Sequence, residues 1–380
     1  MVLKKEHLLS MVLSFIIFLI LNIPSLKIIY STPLINIILP LALWSVGILK
    51  IISNKQLNLS YSRVKFLLIL YMFWGMIFLI TFVRMPTLLT YDNLLKYIVS
   101  LIIVTGVLLF LYKQEILNVL YFQVLWALCL SMQKIIWGIE LNRGLGQHYL
   151  TLGLPLSAGI VCAILLLFYE RGRKITKTFL IVSITTILFA LTSLSGRSPV
   201  ILSVLIPLII TIIHLFMEKR IVKKVKVLIA ILMFIPVFLF LVYNNMSDRL
   251  LNTLTNDYNF ENEPRFIIYS KSISLIKDNP LGYGLNSGEL GVSYPHNIFL
   301  ETAMSGGIFS LSILVIMLFF VFSKFFKAIN YGSYKIVCSA LALLYFLTWN
   351  ISYDLTSSYI PFSAIAILII STEKNNYNST

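Results

Sequence analysis

Long apolar runs separated by short polar breaks fill almost the whole chain. A helical run of about 17–25 apolar residues matches the hydrocarbon thickness of a bilayer. The pattern predicts twelve such spans, at 8–23, 34–52, 66–83, 97–112, 116–139, 150–169, 178–194, 199–216, 227–244, 301–322, 336–351 and 360–370. The last is the shortest. The runs are continuous rather than alternating, which argues against a membrane β-barrel. The expected fold is all-α: one integral membrane domain over 1–380, a polytopic bundle of about twelve transmembrane helices.

One break differs from the rest. A large loop at 245–296 separates spans nine and ten, and a loop that long usually carries structure or function. Helix signals lie over 265–277. Pro264 suits a first turn, Glu261 and Glu263 favour the positive end of the dipole, and Asp278-Asn279-Pro280 stops the run. Phe266, Ile273 and Ile276 share one face, so the helix is expected to lie on the membrane surface. Gly282-Tyr283-Gly284 and Asn286-Ser287-Gly288 read as turns. No strand precedes Gly282, so its Gly-x-Gly is a poor nucleotide motif. Ser305-Gly306-Gly307 would let a neighbouring helix approach closely.

Composition agrees with the pattern. Apolar residues make up 59% of the chain, charged residues 12%, and mean hydropathy is +0.92, a balance outside the range of soluble domains. The net charge of +15 could suggest nucleic acid, but its distribution points elsewhere. With both termini in the cytoplasm, 20 of the 30 basic residues fall in cytoplasmic loops and flanks, against five of the 15 acids. That asymmetry fixes the orientation and places the 245–296 loop outside. Basic runs such as Glu170–Lys177 then anchor to anionic lipid, and no nucleic-acid partner is expected. The basic start and apolar run of 1–23 lack a small-residue cleavage site, so they read as an uncleaved first span. Cys129, Cys162 and Cys338 lie in apolar runs without a pairing or zinc pattern, and are expected to be small buried hydrophobes.

Candidate chemistry gathers outside. Arg197 sits in the tight turn between spans seven and eight, at the expected height of lipid headgroups. Arg265 opens the loop helix. A guanidinium binds phosphate oxygens through a planar fork, whereas the structural alternatives are snorkelling for Arg197 and a salt bridge to Glu261 or Glu263 for Arg265. His296 precedes span ten and could take a proton from a hydroxyl near neutral pH, or simply cap the helix. Arg143 and His148 lie in another outer loop. With Asn297, a helix-start residue, and Glu301 they complete the candidate substrate-binding set. His7 and His214 fall near the cytoplasm and are not expected to be ligands. No metal motif is present, and neither a metal nor a cofactor is expected.

Arg265, the turn Pro280-Leu281-Gly282-Tyr283-Gly284, the pair His296-Asn297 and the earlier Ser195-Gly196-Arg197-Ser198 together resemble the O-antigen polymerase and ligase family, of Wzy and WaaL type. The family's ligase pattern places a glycine ten residues after the position following the histidine, here Gly307, and Gly, Thr or Tyr three residues later, where this chain has Ser310. The resemblance implies a GT-C-like bundle and glycosyl transfer outside the bacterial cytoplasmic membrane. The donor and acceptor would be glycans linked through diphosphate to a polyprenyl lipid such as undecaprenol. His296 would be base or acceptor-orienting group, and Arg197 and Arg265 would hold the diphosphate. A polymerase of repeat units, for O-antigen, capsule or exopolysaccharide, is the first reading, and a flippase and chain-length regulator are its implied partners. A ligase moving finished polymer to a terminal acceptor is the nearest rival. A transporter is a rival of another class, but most charges lie at span ends rather than at the midplane.

Overall fold

The computed structural model describes residues 2–29, 34–54, 59–84, 91–137, 149–170, 172–194, 197–218 and 264–373. Thirteen α-helices order these residues: α1 Val2–Leu21, α2 Ile23–Ile29, α3 Ile35–Asn54, α4 Tyr61–Arg84, α5 Tyr91–Phe110, α6 Ile116–Trp137, α7 Tyr149–Tyr169, α8 Lys174–Thr192, α9 Arg197–Met217, α10 Pro264–Asp278, α11 Ile298–Tyr331, α12 Tyr334–Ser352 and α13 Tyr359–Ser371. No strand occurs among the described residues. Eight of the helices are long and apolar enough to cross a membrane, and three shorter apolar segments accompany them at His7–Leu21, Leu94–Phe110 and Leu355–Ser371. The chain is thus an all-α, multi-pass membrane protein. The expected span at 227–244 lies outside the described residues, as does the first part of the loop, 245–263.

The shortest span has a central position. Every side chain of α13 from Ile360 to Ser371 is buried. A helix that is apolar all round is a buried helix. It packs against α5 and α12, and its thirteen residues need not reach both lipid surfaces, because other helices surround it. Outer helices instead show one buried and one exposed apolar face, as α4 does with Phe66, Leu70, Phe73 and Ile77 inward and Leu68, Met72, Leu79 and Phe82 outward. Cys162 and Cys338 are buried, as expected. Cys129 departs from that expectation and is exposed on the apolar outer face of α6, near Met132 and Leu125.

Hydrogen bonds collect the helix ends into two opposite sets. At one end Arg63 donates to Leu108 O, Leu111 O and both carboxylate oxygens of Glu373, Lys324 reaches Ser62, Ser333 reaches Glu170, and Lys50 pairs with Glu115. His214, late in α9, bonds Ile329 O, late in α11, at 3.1 Å and lies edge-on to Tyr169. This histidine is thereby occupied structurally. The same contact makes α9 and α11 run in one direction, so both helices begin at the other end of the bundle. Within the bundle Asn22 and Gln123 exchange amide hydrogen bonds at 2.7 and 3.2 Å, one way in which polar side chains hold apolar helices together.

Candidate functional site

The second half of the long loop is built into a break in α11. Gly307 has φ 65° and ψ −169°, which interrupts the helix one-third of the way along. The turn Pro280-Leu281-Gly282-Tyr283-Gly284 fills the gap. Tyr283 N donates to Met304 O at 2.7 Å, Gly284 N to Ser305 O at 3.0 Å, and Ile308 N to Pro280 O at 2.9 Å. Backbone groups orphaned by the break are thereby satisfied within the protein, as irregular backbone at membrane depth requires. Glycine is needed on both sides of the contact. A Cβ on Gly282 would lie 2.5 Å from Gly307 N, and one on Gly307 would lie 2.5 Å from Leu281 C and O. The expected close helix approach holds for Gly306, whose Cβ would meet Ile77 of α4 at 2.8 Å, but Gly307 meets the loop turn instead.

Beyond the turn the loop is fastened to its surroundings. Leu285 N donates to Thr81 Oγ1 at 3.0 Å, and Lys271 Nζ donates to Leu290 O at 2.8 Å. Arg84 Nη2 donates to Asn279 Oδ1, and Asn279 Nδ2 to Gly282 O. Under the loop lies a cleft with an open volume of about 400 Å3, mouth included. Tyr97, Asn286, Ser287, Ser293, Tyr294 and Glu301 supply most of its polar lining.

His296 stands at the edge of this arrangement. Its φ is +55°, a region that non-glycine residues seldom occupy and that accumulates at functional sites. Its ring lies edge-on to Tyr294 with centroids 4.4 Å apart, and its carbonyl accepts from Tyr269 Oη at 3.3 Å. His296 does not line the cleft itself but meets it through Tyr294. Asn297, next in sequence, is the N-cap of α11: its Oδ1 accepts from Phe299 N and Leu300 N, both at 3.1 Å. Asn350 Oδ1 takes the Ile298 amide.

Helix α10 brings Arg265 to the same corner. Tyr269 lies four residues after Arg265, on the same helix face, and touches His296. The Tyr294 phenol is pushed above its ordinary range, first by burial and then by Asp354 and Glu301, while the Arg265 charge pulls it back. Arg265, Tyr294 and His296 therefore share one electrostatic neighbourhood. Arg197 opens α9, at the same end of the bundle as the start of α11, with its side chain outside the described residues. Arg143 and His148 lie outside the described residues altogether. Glu301 is brought into the cleft: its Oε1 accepts from Leu355 N at 3.0 Å.

Tyr97, Thr81, Tyr269 and Tyr294 did not stand out in the sequence. Tyr269 had a signal, the four-residue spacing from Arg265. Tyr97 and Thr81 had none, because they come from distant helices and resemble any polar residue near a helix end. Among the described residues no group of His, Cys, Asp and Glu is arranged to hold a metal ion. What the site offers is a guanidinium, an imidazole, phenols, hydroxyls and a carboxylate, which suits binding an anion beside a polyhydroxylated ligand and moving a proton between them.

Fold and site together define a multi-pass helical membrane protein with a loop-capped cleft at one end. A family model described as O-antigen ligase matches residues 180–315, a stretch that includes α9, the loop, the cleft residues Asn286 to Glu301 and the break at Gly307. The match supports the O-antigen ligase and polymerase family and does not separate its two activities. Members of that family are glycosyltransferase-like enzymes that act on lipid-linked glycans. No curated protein and no solved structure matches the chain.

Proposed function

We propose that this protein polymerises polysaccharide repeat units by glycosyl transfer on the external face of the bacterial cytoplasmic membrane. Both termini lie in the cytoplasm, and donor and acceptor are glycans carried on polyprenyl diphosphate. The carrying observation is the corner at which α10 and the start of α11 bring Arg265 and His296 together around Tyr294, within the matched stretch. A diphosphate leaving group develops charge at headgroup height, where fixed cations stabilise it. Arg265 and Arg197 take that role. The attacking sugar hydroxyl needs a proton acceptor or an orienting partner, and His296 takes that role. Arg143 and His148 contribute from the other outer loop. A donor with a long apolar tail requires an enzyme embedded in lipid, and the loop over the cleft keeps water from the activated donor.

The description of the family model favours a second reading, in which finished polymer moves from its carrier to a lipid or wall acceptor. Deleting the gene separates the two on a product gel. Loss of a polymerase leaves single capped repeat units, whereas loss of a ligase leaves long polymer on its lipid carrier. Complementation with Arg197→Ala, Arg265→Ala and His296→Ala is expected to abolish or shorten the ladder at equal expression. Full-length ladders from all three variants would sink the proposed roles.

A further inference from the structure

We propose that Glu301 is a binding residue for a sugar hydroxyl, seated in the cleft beneath the 284–295 loop. The inference rests on the glycosyl-transfer reading and adds to it a specific contact with the saccharide.

Two carboxylates influence this cleft, and they differ in what they have left to offer. Asp354 is spent on its own turn: Oδ1 accepts from Ser357 N, Ser357 Oγ and Thr356 Oγ1, and Oδ2 accepts from Thr356 Oγ1 as well. Glu301 commits only one oxygen, Oε1, to the Leu355 amide at 3.0 Å. Its Oε2 is buried and receives no donor from the described residues. Buried polar atoms are almost always satisfied, so an exception inside a cleft points to a group that arrives from outside. A carboxyl oxygen accepts a hydrogen bond whether or not the group carries a proton, so a ligand hydroxyl can donate to it.

The surroundings narrow its class. Hydroxyls and an amide from Tyr97, Asn286, Ser287, Ser293 and Tyr294 line the same cleft, and the Tyr294 ring adds an apolar face. No cation is among the described lining residues, though Lys271 Nζ donates to the carbonyl of the lining residue Leu290. Such a lining suits a neutral ligand rich in O–H groups. Arg265 serves the diphosphate end, and Glu301 serves the glycan.

Glu301→Gln is the cleanest test. It keeps the shape, and its Oε1 can still take the Leu355 amide, but an NH2 group then replaces the free acceptor. The probe is the oligosaccharide mixture from partial acid hydrolysis of the parent cell's surface polysaccharide, titrated into detergent-purified protein and followed by saturation-transfer NMR. Inorganic pyrophosphate serves as the control ligand. Binding of the oligosaccharides is expected to weaken about tenfold in Glu301→Gln, the loss typical of one buried hydrogen bond, with pyrophosphate binding unchanged. A role confined to folding would lower the melting temperature but leave the oligosaccharide Kd of the folded fraction unchanged. Equal Kd values for wild type and Glu301→Gln, or no oligosaccharide binding by wild type, overturn the proposal. Should Glu301→Gln fail to fold, Glu301→Asp withdraws the oxygen by one methylene and is held to the same outcomes. Unchanged glycan binding in the variant with an intact wild-type ladder removes the Glu301 contact alone. Weakened binding in the variant, with no ladder defect on gene deletion, removes the transfer reading alone.

Discussion

Replacing Gly307 by alanine should detach the loop from α11, and the size of the effect can be worked from the backbone. The added Cβ would lie 2.5 Å from Leu281 C and O and 2.7 Å from Pro280 O. These are main-chain atoms, so no side-chain rotation relieves the overlap. An L-residue held at φ 65°, ψ −169° also carries about 1–3 kcal/mol of conformational strain. If the turn lifts away instead, three hydrogen bonds are lost, at about 0.5–1.5 kcal/mol each. By either route the docked state weakens by about 2–4 kcal/mol. At 1.4 kcal/mol per tenfold, local opening becomes roughly 30- to 700-fold more frequent.

Amide hydrogen exchange reads this directly, because Tyr283, Gly284 and Ile308 donate the three bonds. Their exchange should accelerate by that factor in Gly307→Ala, while amides of α13 keep wild-type protection. Gly288→Ala is the control. Gly288 also has a positive φ, 76°, but nothing lies within 4 Å of its notional Cβ, so the strain stays in the loop tip. Wild-type exchange at Tyr283, Gly284 and Ile308 in Gly307→Ala would refute the docking. Equal acceleration in Gly288→Ala would show that any strained glycine in the loop has the same effect.

Three further outcomes follow from the same contacts. Asn297→Ala should destabilise the start of α11 by about 1 kcal/mol through loss of the N-cap, and Asn297→Asp should restore it in a thermal melt, because aspartate caps as well. Lys50→Met alone should cost about 3–5 kcal/mol in a denaturation measurement by stranding Glu115, at 1% exposure, whereas Lys50→Met with Glu115→Leu should recover most of the loss. The Tyr294 phenol titrates above its usual range because of burial and then Asp354 and Glu301, so its neutral form is the stabilised one. That contribution is complete below pH 10 and is lost only as pH rises through the raised value. A melting-temperature profile of Tyr294→Phe between pH 6 and 9 should therefore run parallel to that of wild type, and a slope change in that window would refute the assignment.

The helices were legible because their signal is physical and local. A bilayer imposes length and apolarity on each span, and capping chemistry marks the ends, as with Pro264 and the Asp278-Asn279-Pro280 stop around α10. Pairings between distant segments were not legible. The glycines at 282, 284, 306 and 307 were visible as turn and packing residues, yet nothing in the chain says that the first pair docks against the second. That fact depends on which backbone groups the break at Gly307 leaves unsatisfied. The importance of Glu301 was hidden in the same way. In sequence it is an acid in the first turn of a span, which helix electrostatics alone would explain. Its separate meaning appears only when Leu355 takes one oxygen and Asp354 turns inward to its own loop. The distinction between two nearby carboxylates therefore lies in the hydrogen bonds each has already made, and those bonds come from segments more than fifty residues away for Glu301 and within three residues for Asp354. A local bond leaves Asp354 the same whatever occupies the cleft. A bond across the bundle ties the Glu301 carboxyl to the relative position of α11 and the 355–357 turn, so anything that shifts these two elements moves Oε2 relative to the cleft.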